Sequence, residues 1–295
     1  MKRILLFIAT NLAVLLVLSI VAHLLGIDTY LQAHGGSLEG LLVWAALFGF
    51  GGAFVSLAMS KMQAKMFMGV RVIDPQSVDA TGQWLLSVVE HHARQVGVGM
   101  PEVGIFDSPE PNAFATGMSR NSSLVAVSTG LLQRMNREQI AAVLGHEMTH
   151  VANGDMVTLT LIQGVVNTFV LLLARVVGNI VDRAVFRSDD GRGIASYLTF
   201  YVLQIAFGLL ATPIVMWFSR WREFRADRGG AQLAGTPSMI GALEELKRVH
   251  QPLPTQQLAA FGIAGGDVGS GLRRLFMSHP PLDERIAALR ALATH

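Results

Sequence analysis

The stretch from Ala141 to Asp155, AAVLGHEMTHVANGD, combines residue types that can bind and use a metal ion. His146 and His150 are four residues apart, which on a helix puts their side chains within about 40° of each other. Both imidazoles can then reach one ion. Glu147 falls at the edge of the helix's apolar face, so its carboxylate is expected in a partly dry cleft beside the metal. A carboxylate there can take a proton from a metal-activated water and deliver it to a leaving amine.

An ordinary helix with two unrelated histidines is the alternative. His91 and His92 illustrate it, because adjacent side chains diverge, and we assign them no role. A chance match to HExxH in a chain of this length is expected on the order of 1% of the time. The helical context is also met, since Asn136 and Gln139 form a capping box at the predicted helix start. The pattern therefore favours a metal site.

A catalytic zinc ion needs a third protein ligand and one open position. The chain has no cysteine, so histidine and carboxylate groups must hold any metal, and disulfides and iron–sulfur clusters are excluded. The segment WREFRAD offers Glu223 and Asp227 on one helix face. We predict Glu223 as the third ligand and Asp227 as acceptor of a hydrogen bond from the outer nitrogen of a ligand histidine. The alternative is a solvated, charged helix end in which neighbouring arginines balance both carboxylates.

The composition indicates a membrane protein. The 295 residues are 51% hydrophobic and 15% charged, against about 25% charged in typical soluble domains. The mean hydropathy is +0.45. The net charge is +2, and no basic run with interleaved aromatic residues occurs, so nucleic-acid binding is not expected.

Four stretches are long enough to cross a bilayer, which needs about 20 apolar residues: Ile4–Leu25, Leu41–Met59, Val157–Ala174, which could extend to Val181, and Ile194–Phe218. The first could instead be a signal peptide, although it is longer than a signal core and lacks a small-residue cleavage site. The third carries Gln163, Asn167 and Arg175, so a buried helix or a shallow hairpin-like insertion remains open. Pro213 is expected to kink the end of the fourth.

Lysine and arginine in the short flanks predict the orientation of these spans. Basic residues precede the first span and follow the second and fourth, whereas the loop between the first two has none. Both termini and the segment 60–156 are therefore expected in the cytoplasm. The loop 181–193 weakens this prediction, because it holds Arg183, Arg187 and Arg192.

The region between the second and third spans has the pattern of a small α+β domain. We predict a helix at Gln76–Val98, a strand at Val103–Asp107, hairpin strands at Asn112–Thr116 and Ser123–Ser128, and a helix from Asn136. The C-terminal region, Trp221 to His295, is predicted to be helical at both ends with a mobile, glycine-rich loop at Phe261–Gly271. Asn153 and Asp155 are expected to be structural caps without a chemical role.

Three motifs, HEMTHVANGD, WREFRAD and SHPPLDERI, occur in this order with apolar spans between the first two. With NAFATG, they make the whole chain resemble the HtpX heat-shock membrane proteases, bacterial relatives of the CAAX prenyl endoproteases. The resemblance implies zinc ligands at His146, His150 and Glu223, and Glu147 as the catalytic glutamate. It also implies an endopeptidase in the bacterial cytoplasmic (inner) membrane, with its site facing the cytoplasm.

The expected fold is a mainly α, multi-pass membrane protein with a cytoplasmic α+β gluzincin-like zinc protease domain containing a small β-hairpin or sheet. Its regions are two spans in 1–60, the catalytic HExxH part in 61–156, two further spans in 157–220, and a C-terminal catalytic part with the third ligand in 221–295. The expected partners are misfolded, damaged or misassembled membrane proteins and some cytosolic ones as substrates, the lipid bilayer, and other membrane quality-control proteases.

Two further assignments come from the resemblance. Asn112, Ala113, Phe114 and Ala115 match an edge strand along which an extended substrate would lie, and an ordinary hairpin strand is the alternative. His279 matches a C-terminal histidine that could stabilise the oxyanion, and a structural residue before two prolines is the alternative.

Three other functions are alternatives to a zinc endopeptidase. An intramembrane protease is disfavoured, because charged residues lie just before and after HExxH. A non-catalytic adaptor would use zinc with four protein ligands and no open position, and the residue types do not exclude it. A transporter is disfavoured, because the spans hold few polar residues and no inverted repeat.

Overall fold

The computed structural model describes residues 37–76, 79–186, 194–250, 277 and 279–293, together with Ile20 and His23. Apart from Ile20 and His23, the predicted first span, Ile4–Leu25, therefore lies outside the described residues, as does the whole of the predicted loop Phe261–Gly271. The chain divides into two compact units. One comprises Met1–Ser56 and Leu159–Val215, and the other comprises Leu57–Thr158 and Met216–His295.

The described elements, in chain order, are α1 (Leu38–Phe67), β1 (Arg71–Val72), α2 (Ala80–Val96), β2 (Glu102–Phe106), β3 (Ala113–Ser119), β4 (Ser122–Ser128), α3 (Thr129–Arg134), α4 (Arg137–Asn153), α5 (Asp155–Phe186), α6 (Ile194–Ala234), α7 (Thr236–His250) and α8 (Leu282–Ala293).

Three of the described helices are long and apolar enough to cross a membrane: Leu38–Phe67, Asp155–Val181 and Ser196–Ala234. Within the first unit, α1 and α5 pack through a small cluster, and many large apolar side chains of α6 remain exposed, as lipid-facing surfaces require. The third predicted span is one continuous helix, not a hairpin-like insertion. At about 1.5 Å per residue it is long enough to cross a hydrocarbon core of about 30 Å.

The fourth predicted span belongs to a helix that continues well beyond its apolar part. Helix α6 passes through Pro213 and ends only at Ala234. The change from apolar to polar residues near Phe218 is therefore not the end of the helix. The helix continues with polar residues beyond its apolar, membrane-compatible part. As a result, Glu223 lies on the same helix as the span.

The second unit contains a four-stranded sheet in the order β1-β2-β4-β3. Strands β2 and β4 are parallel, and the two outer pairs are antiparallel. The predicted hairpin is present with longer strands and a shorter turn, because β3 continues through a bulge at Gly117 to Ser119. Strand β1 was not predicted, since two residues carry no periodic pattern.

Capping side chains define the helices of this unit. Asn136 and Gln139 form the predicted capping box at the start of α4. The predicted helix Gln76–Val98 is shorter in the structure, because Asp79 accepts a hydrogen bond from Gly82 N at its start and Gly97 ends it in the left-handed conformation.

The main core lies between α2, the sheet and α4, and it immobilises the helix that carries HExxH. Its fully buried members include Leu85, Val89, Val125, Val127, Leu144 and Met148. His92, assigned no role above, is a buried core histidine whose Nε2 lies 3.0 Å from the carbonyl oxygen of Ala141. A second cluster, with Ala142, Met239, Leu243, Ile286 and Leu289, packs α7 and α8 against the opposite side of α4.

Helices α4 and α6 approach closely because glycines occupy their contact. A Cβ added at Gly230 would lie 3.0 Å from the backbone oxygen of Ala142 and the nitrogen of His146. A Cβ added at Gly145 would lie 3.2 Å from the Cα of Gly230. The small residues thus let the helix with Glu223 reach the helix with both histidines.

We expect Gly229→Ala to force α4 and α6 apart. The new methyl group would lie 2.1 Å from Oγ1 and 2.8 Å from Cβ of Thr149, so rotating the threonine does not remove the clash. Overpacking of this kind costs about 1–3 kcal/mol. Thermal unfolding in detergent should show a lower Tm and weaker metal binding.

Gly208→Ala is the matched control, because it lies on the same helix with nothing within 4 Å of the added carbon. It isolates the helix-propensity gain of alanine over glycine, about 1 kcal/mol. Equal Tm values for the two variants would contradict the proposed close contact.

Candidate active site

Three side chains from two helices converge at one point. His146 and His150 project from α4, and Glu223 projects from α6. The Nε2 atoms of the histidines are 3.2 Å apart. They lie 3.6 and 3.3 Å from the carboxylate oxygens of Glu223. The structure therefore brings together the three residues that the sequence predicted as ligands.

These three groups fit a divalent metal ion. One potential ligand atom from each lies within 4.8 Å of the others. Ligands about 2.0–2.1 Å from a tetrahedral zinc ion would be about 3.3 Å apart, which is close to the observed separations. Two imidazoles and one carboxylate also form a donor set typical of catalytic zinc, with one position left for solvent or substrate.

Each histidine has a carboxylate beside its other ring nitrogen. Nδ1 of His150 lies 2.7 Å from Oδ2 of Asp155. Nδ1 of His146 lies 3.0 Å from Oδ1 of Asp227, in a less direct geometry that does not complete a hydrogen bond. Asp227 thus lies beside His146, and its predicted role as acceptor of a hydrogen bond from a ligand histidine stays a proposal. The contact of Asp155 was missed, because it arises from the turn at Gly154 and not from helical spacing.

Arg285 is the second residue that sequence reasoning missed. It is buried on α8, and its guanidinium group donates to both carboxylate oxygens of Asp227, at 2.8 and 2.6 Å. Its Nη1 also lies 3.4 Å from Oε2 of Glu223. Burial disfavours its charge, but the hydrogen bonds of Asp227 and the negative charges of Asp227, Glu223 and Glu147 together outweigh burial and raise its pKa. The motif SHPPLDERI contains this arginine, yet only the folded chain reveals its partner.

Glu147 lines the cavity beside the histidines. Burial raises the pKa of its carboxyl group, although the nearby imidazoles oppose that shift. A carboxylate of raised pKa holds a proton more readily, which suits a group that must accept a proton and later give it up.

The two histidines predicted as ligands have raised pKa values. Burial lowers the pKa of His150, but Asp155 and Glu223 outweigh burial and raise it to about 9. Burial also opposes protonation of His146, yet Asp227 and Glu223 raise its pKa. Metal binding must therefore displace protons from this cluster.

His279 lies at the mouth of the cavity, with Nδ1 2.7 Å from Oε2 of Glu223. Its side chain is 61% exposed. The structure thus places this histidine beside the third ligand. Its role in stabilising an oxyanion stays a proposal.

A cavity of about 730 Å³ opens above these residues. The start of the β3 segment contributes Asn112 and Ala113 to its lining. Phe114 instead packs against Phe106 on the other face of the sheet. An apolar wall completes the cavity, formed among others by Leu131, Val143, Met239, Leu243 and Leu246. The cavity can therefore admit an extended, partly apolar chain next to Glu147.

The sequence pattern of peptidase family M48 matches residues 79–293, which include every residue of this site. The chain belongs to this family. It is 62% identical to the Protease HtpX of Thioalkalivibrio sulfidiphilus, over 99% of each chain. It is 60% identical to the Protease HtpX homolog of Thiobacillus denitrificans, over 99% of this chain and all of that one.

The crystal structure of Ste24p from S. mikatae has a similar fold. It superposes with a TM-score of 0.61 and covers 97% of this chain and 67% of its own, at 18% sequence identity. Together with the candidate spans and the possible metal site, these relatives identify the protein as an integral membrane metallopeptidase.

We expect Arg285→Met to destabilise the site, because it leaves the carboxylate of Asp227 buried without its cation. Breaking a buried ion pair from one side costs about 3–5 kcal/mol. The Tm in detergent should fall by several degrees, and metal affinity should fall with it.

Arg290→Met provides the control on the same helix. Arg290 is exposed and pairs with Glu244 at the surface, where such pairs contribute less than about 1 kcal/mol. If both variants unfold at the same temperature, the buried pair does not stabilise the site.

Proposed function

We propose that the protein is a zinc endopeptidase that cleaves misfolded or damaged membrane proteins, and some cytosolic ones, in membrane-protein quality control. The convergence of His146, His150 and Glu223 beside the carboxylate of Glu147 is the observation that supports this proposal most directly. Curated relatives of nearly the same length carry the name Protease HtpX.

In the proposed mechanism, His146, His150 and Glu223 would hold zinc. When bound, zinc supplies Lewis acidity, which polarises a peptide carbonyl and lowers the pKa of water at the open position. Glu147 accepts a proton from the attacking water and later delivers it to the departing amine. Asp227 would orient the ring of His146, whose Nδ1 lies 3.0 Å away, and Arg285 donates two hydrogen bonds to Asp227. His279, whose Nδ1 now lies 2.7 Å from Glu223, would leave that carboxylate and donate to the developing oxyanion.

The helix that carries HExxH differs from the membrane-spanning helix that an intramembrane protease would use. Helix α4 has 17 residues and starts with Arg137 and Glu138. It is not among the described helices that are long and apolar enough to cross a membrane. Cleavage is therefore proposed outside the hydrocarbon core.

We also propose the orientation and the partners. Integral membrane character and basic flanks support a bacterial inner-membrane protein with its site on the cytoplasmic side. Its partners would be lipid, misassembled membrane proteins as substrates, and other quality-control proteases.

Glu147→Gln should abolish cleavage of an unfolded protein such as casein while leaving one zinc ion bound. The amide keeps the size of the side chain but cannot take the proton. A loss of at least 100-fold is expected, since general acid–base groups contribute about 10²–10⁴-fold. Activity and zinc content should be measured on the same purified sample.

Glu138→Gln is the matched control, because Glu138 is exposed near the start of the same helix. It should leave activity unchanged. Full activity in Glu147→Gln, with the control also active, would remove Glu147 from the mechanism.

Strand β3 is suited to bind substrate through its backbone. Among the described residues it pairs only with β4, so its other edge is open. The amide of Ser128 donates to the carbonyl oxygen of Asn112, which makes Asn112–Ser128 a hydrogen-bonded pair. Because such pairs alternate in antiparallel ladders, Ala113 and Ala115 direct their backbone groups to the open edge. We propose that substrate pairs with these two residues.

N-methylation of a peptide substrate tests this register. Substrate residues that face the open edge alternate with residues that do not. A methyl group on the backbone nitrogen should therefore raise KM at every second position, by about 2- to 10-fold for each lost hydrogen bond. A uniform effect along the peptide would contradict strand addition.

A further inference from the structure

Asp155 connects three parts of the active-site unit. It is 1% exposed. Its Oδ2 lies 2.7 Å from Nδ1 of His150, and its Oδ1 accepts a hydrogen bond from Arg225 at 2.8 Å. Its backbone oxygen accepts another from Arg222, also at 2.8 Å. Both carboxylate oxygens and the backbone oxygen of Asp155 therefore contact either His150 or the helix that carries Glu223.

The left-handed turn at Gly154, between α4 and α5, produces this position. Gly154 adopts φ 69°, and its N–H bonds to the carbonyl oxygens of His150 and Val151. Helix α4 ends there, and Asp155 begins α5. The turn carries the carboxylate back over the last turn of α4, next to a histidine five residues earlier in the sequence. Only a residue without a Cβ adopts this conformation readily.

The two arginines explain how α6 is fixed to this turn. Arg222 and Arg225 lie on either side of Glu223 along α6. The guanidinium group of Arg225 also lies 5.3 Å from the ring centre of Trp221, which restricts its side chain before it meets Asp155. The carboxylate of Asp155 thus contacts His150, one predicted ligand, directly. Through Arg225 it also contacts α6, the helix that carries Glu223.

We propose that Asp155 is a positioning residue for the metal site. It fixes the ring of His150 so that Nε2 faces the metal position, and through Arg225 it sets the separation of His150 from Glu223. The inference rests on the proposed function, since it takes these residues as zinc ligands. It adds a second carboxylate–histidine pair to the one formed by Asp227 and His146.

A purely structural ion pair would not need this geometry. Oδ2 of Asp155 lies within hydrogen-bond distance of Nδ1 of His150, at 2.7 Å, while its other oxygen contacts Arg225. A hydrogen bond at Nδ1 selects the imidazole tautomer whose Nε2 lone pair is free to bind a metal. Removing the negative charge should therefore change the metal site even where the fold is kept.

Asp155→Asn is the decisive variant, because it keeps the size of the side chain and removes its charge. Outer carboxylates of this kind contribute about 10- to 100-fold to metal affinity. Zinc affinity, measured by competition with a chelator on full-length protein in detergent, should fall by that factor. The visible absorption spectrum of the Co²⁺-substituted protein should shift, because the ring orientation changes. At saturating zinc, kcat should fall and KM should stay unchanged.

Glu90→Gln is the matched control, since Glu90 is a surface carboxylate paired with Arg94. It should change neither zinc affinity nor the Co²⁺ spectrum. Unchanged affinity and an unchanged spectrum in Asp155→Asn would overturn the proposal. A lower Tm of the metal-stripped variant, with affinity preserved, would assign Asp155 a structural role only and would also overturn it.

Arg225→Ala tests the second half of the proposal at a half-exposed position. It should lower zinc affinity several-fold, whereas Arg228→Ala, three residues along the same exposed helix face, should not. Combined with Asp155→Asn, it should lower the affinity less than the product of the two single effects. Multiplicative effects would show that Arg225 does not act through Asp155.

Different results would contradict the proposed function and the positioning role of Asp155. Wild-type protein that holds no zinc, or that keeps its zinc after Glu223→Ala, would contradict the assigned ligand set and the proposed function. Wild-type protein with one zinc ion, together with a normal Asp155→Asn variant, would contradict only the positioning role.

Discussion

The close contact of α4 and α6 is the constraint on which the active site depends. One helix carries two histidines and the other carries the glutamate, so no metal ligand set exists unless the two backbones nearly touch. Glycines 145, 229 and 230 leave that space. Apolar packing alone could hold the helices together, but larger side chains at the contact would hold them too far apart for carboxylate and imidazole to share an ion.

Charge compensation is the second requirement of this contact. Glu223, Asp155 and Asp227 are all nearly excluded from solvent, and unpaired carboxylates in such surroundings are strongly unfavourable. Imidazoles and arginines from other elements surround them. Arg285 enters from the C-terminal helix and Arg225 from α6 itself. The site is therefore a network of alternating charges in which each anion contacts a predicted metal ligand or is one.

The sequence predicted the parts of this site that depend on local spacing. His146 and His150 share one helix, and their separation by four residues is sufficient to place them together. Glu223 required a further argument, because its approach depends on tertiary packing. Asp227 followed from its spacing to Glu223 on the same helix. Arg285 could not be predicted, since nothing in the local pattern of α8 indicates which carboxylate it meets.

Asp155 and the strands also show what local sequence pattern does not predict. A residue at a helix start resembles a cap in sequence, and only the left-handed turn before it turns its carboxylate toward His150. The hairpin was predicted from alternating residue types, whereas the two-residue strand β1 was not. Helix lengths were underestimated where polar residues follow an apolar stretch, as in α6, because the hydropathy pattern reports the surroundings and not the helix itself.

The peptidase unit is assembled from two separated stretches of chain, Leu57–Thr158 and Met216–His295. During translation the first stretch leaves the ribosome with both histidines and Glu147 but without Glu223 or the arginine that holds Asp227. Two long apolar helical segments must be synthesised before the missing groups exist. A partly synthesised chain therefore lacks the full set of predicted ligands until both apolar helical segments and the stretch with Glu223 and Arg285 have been made.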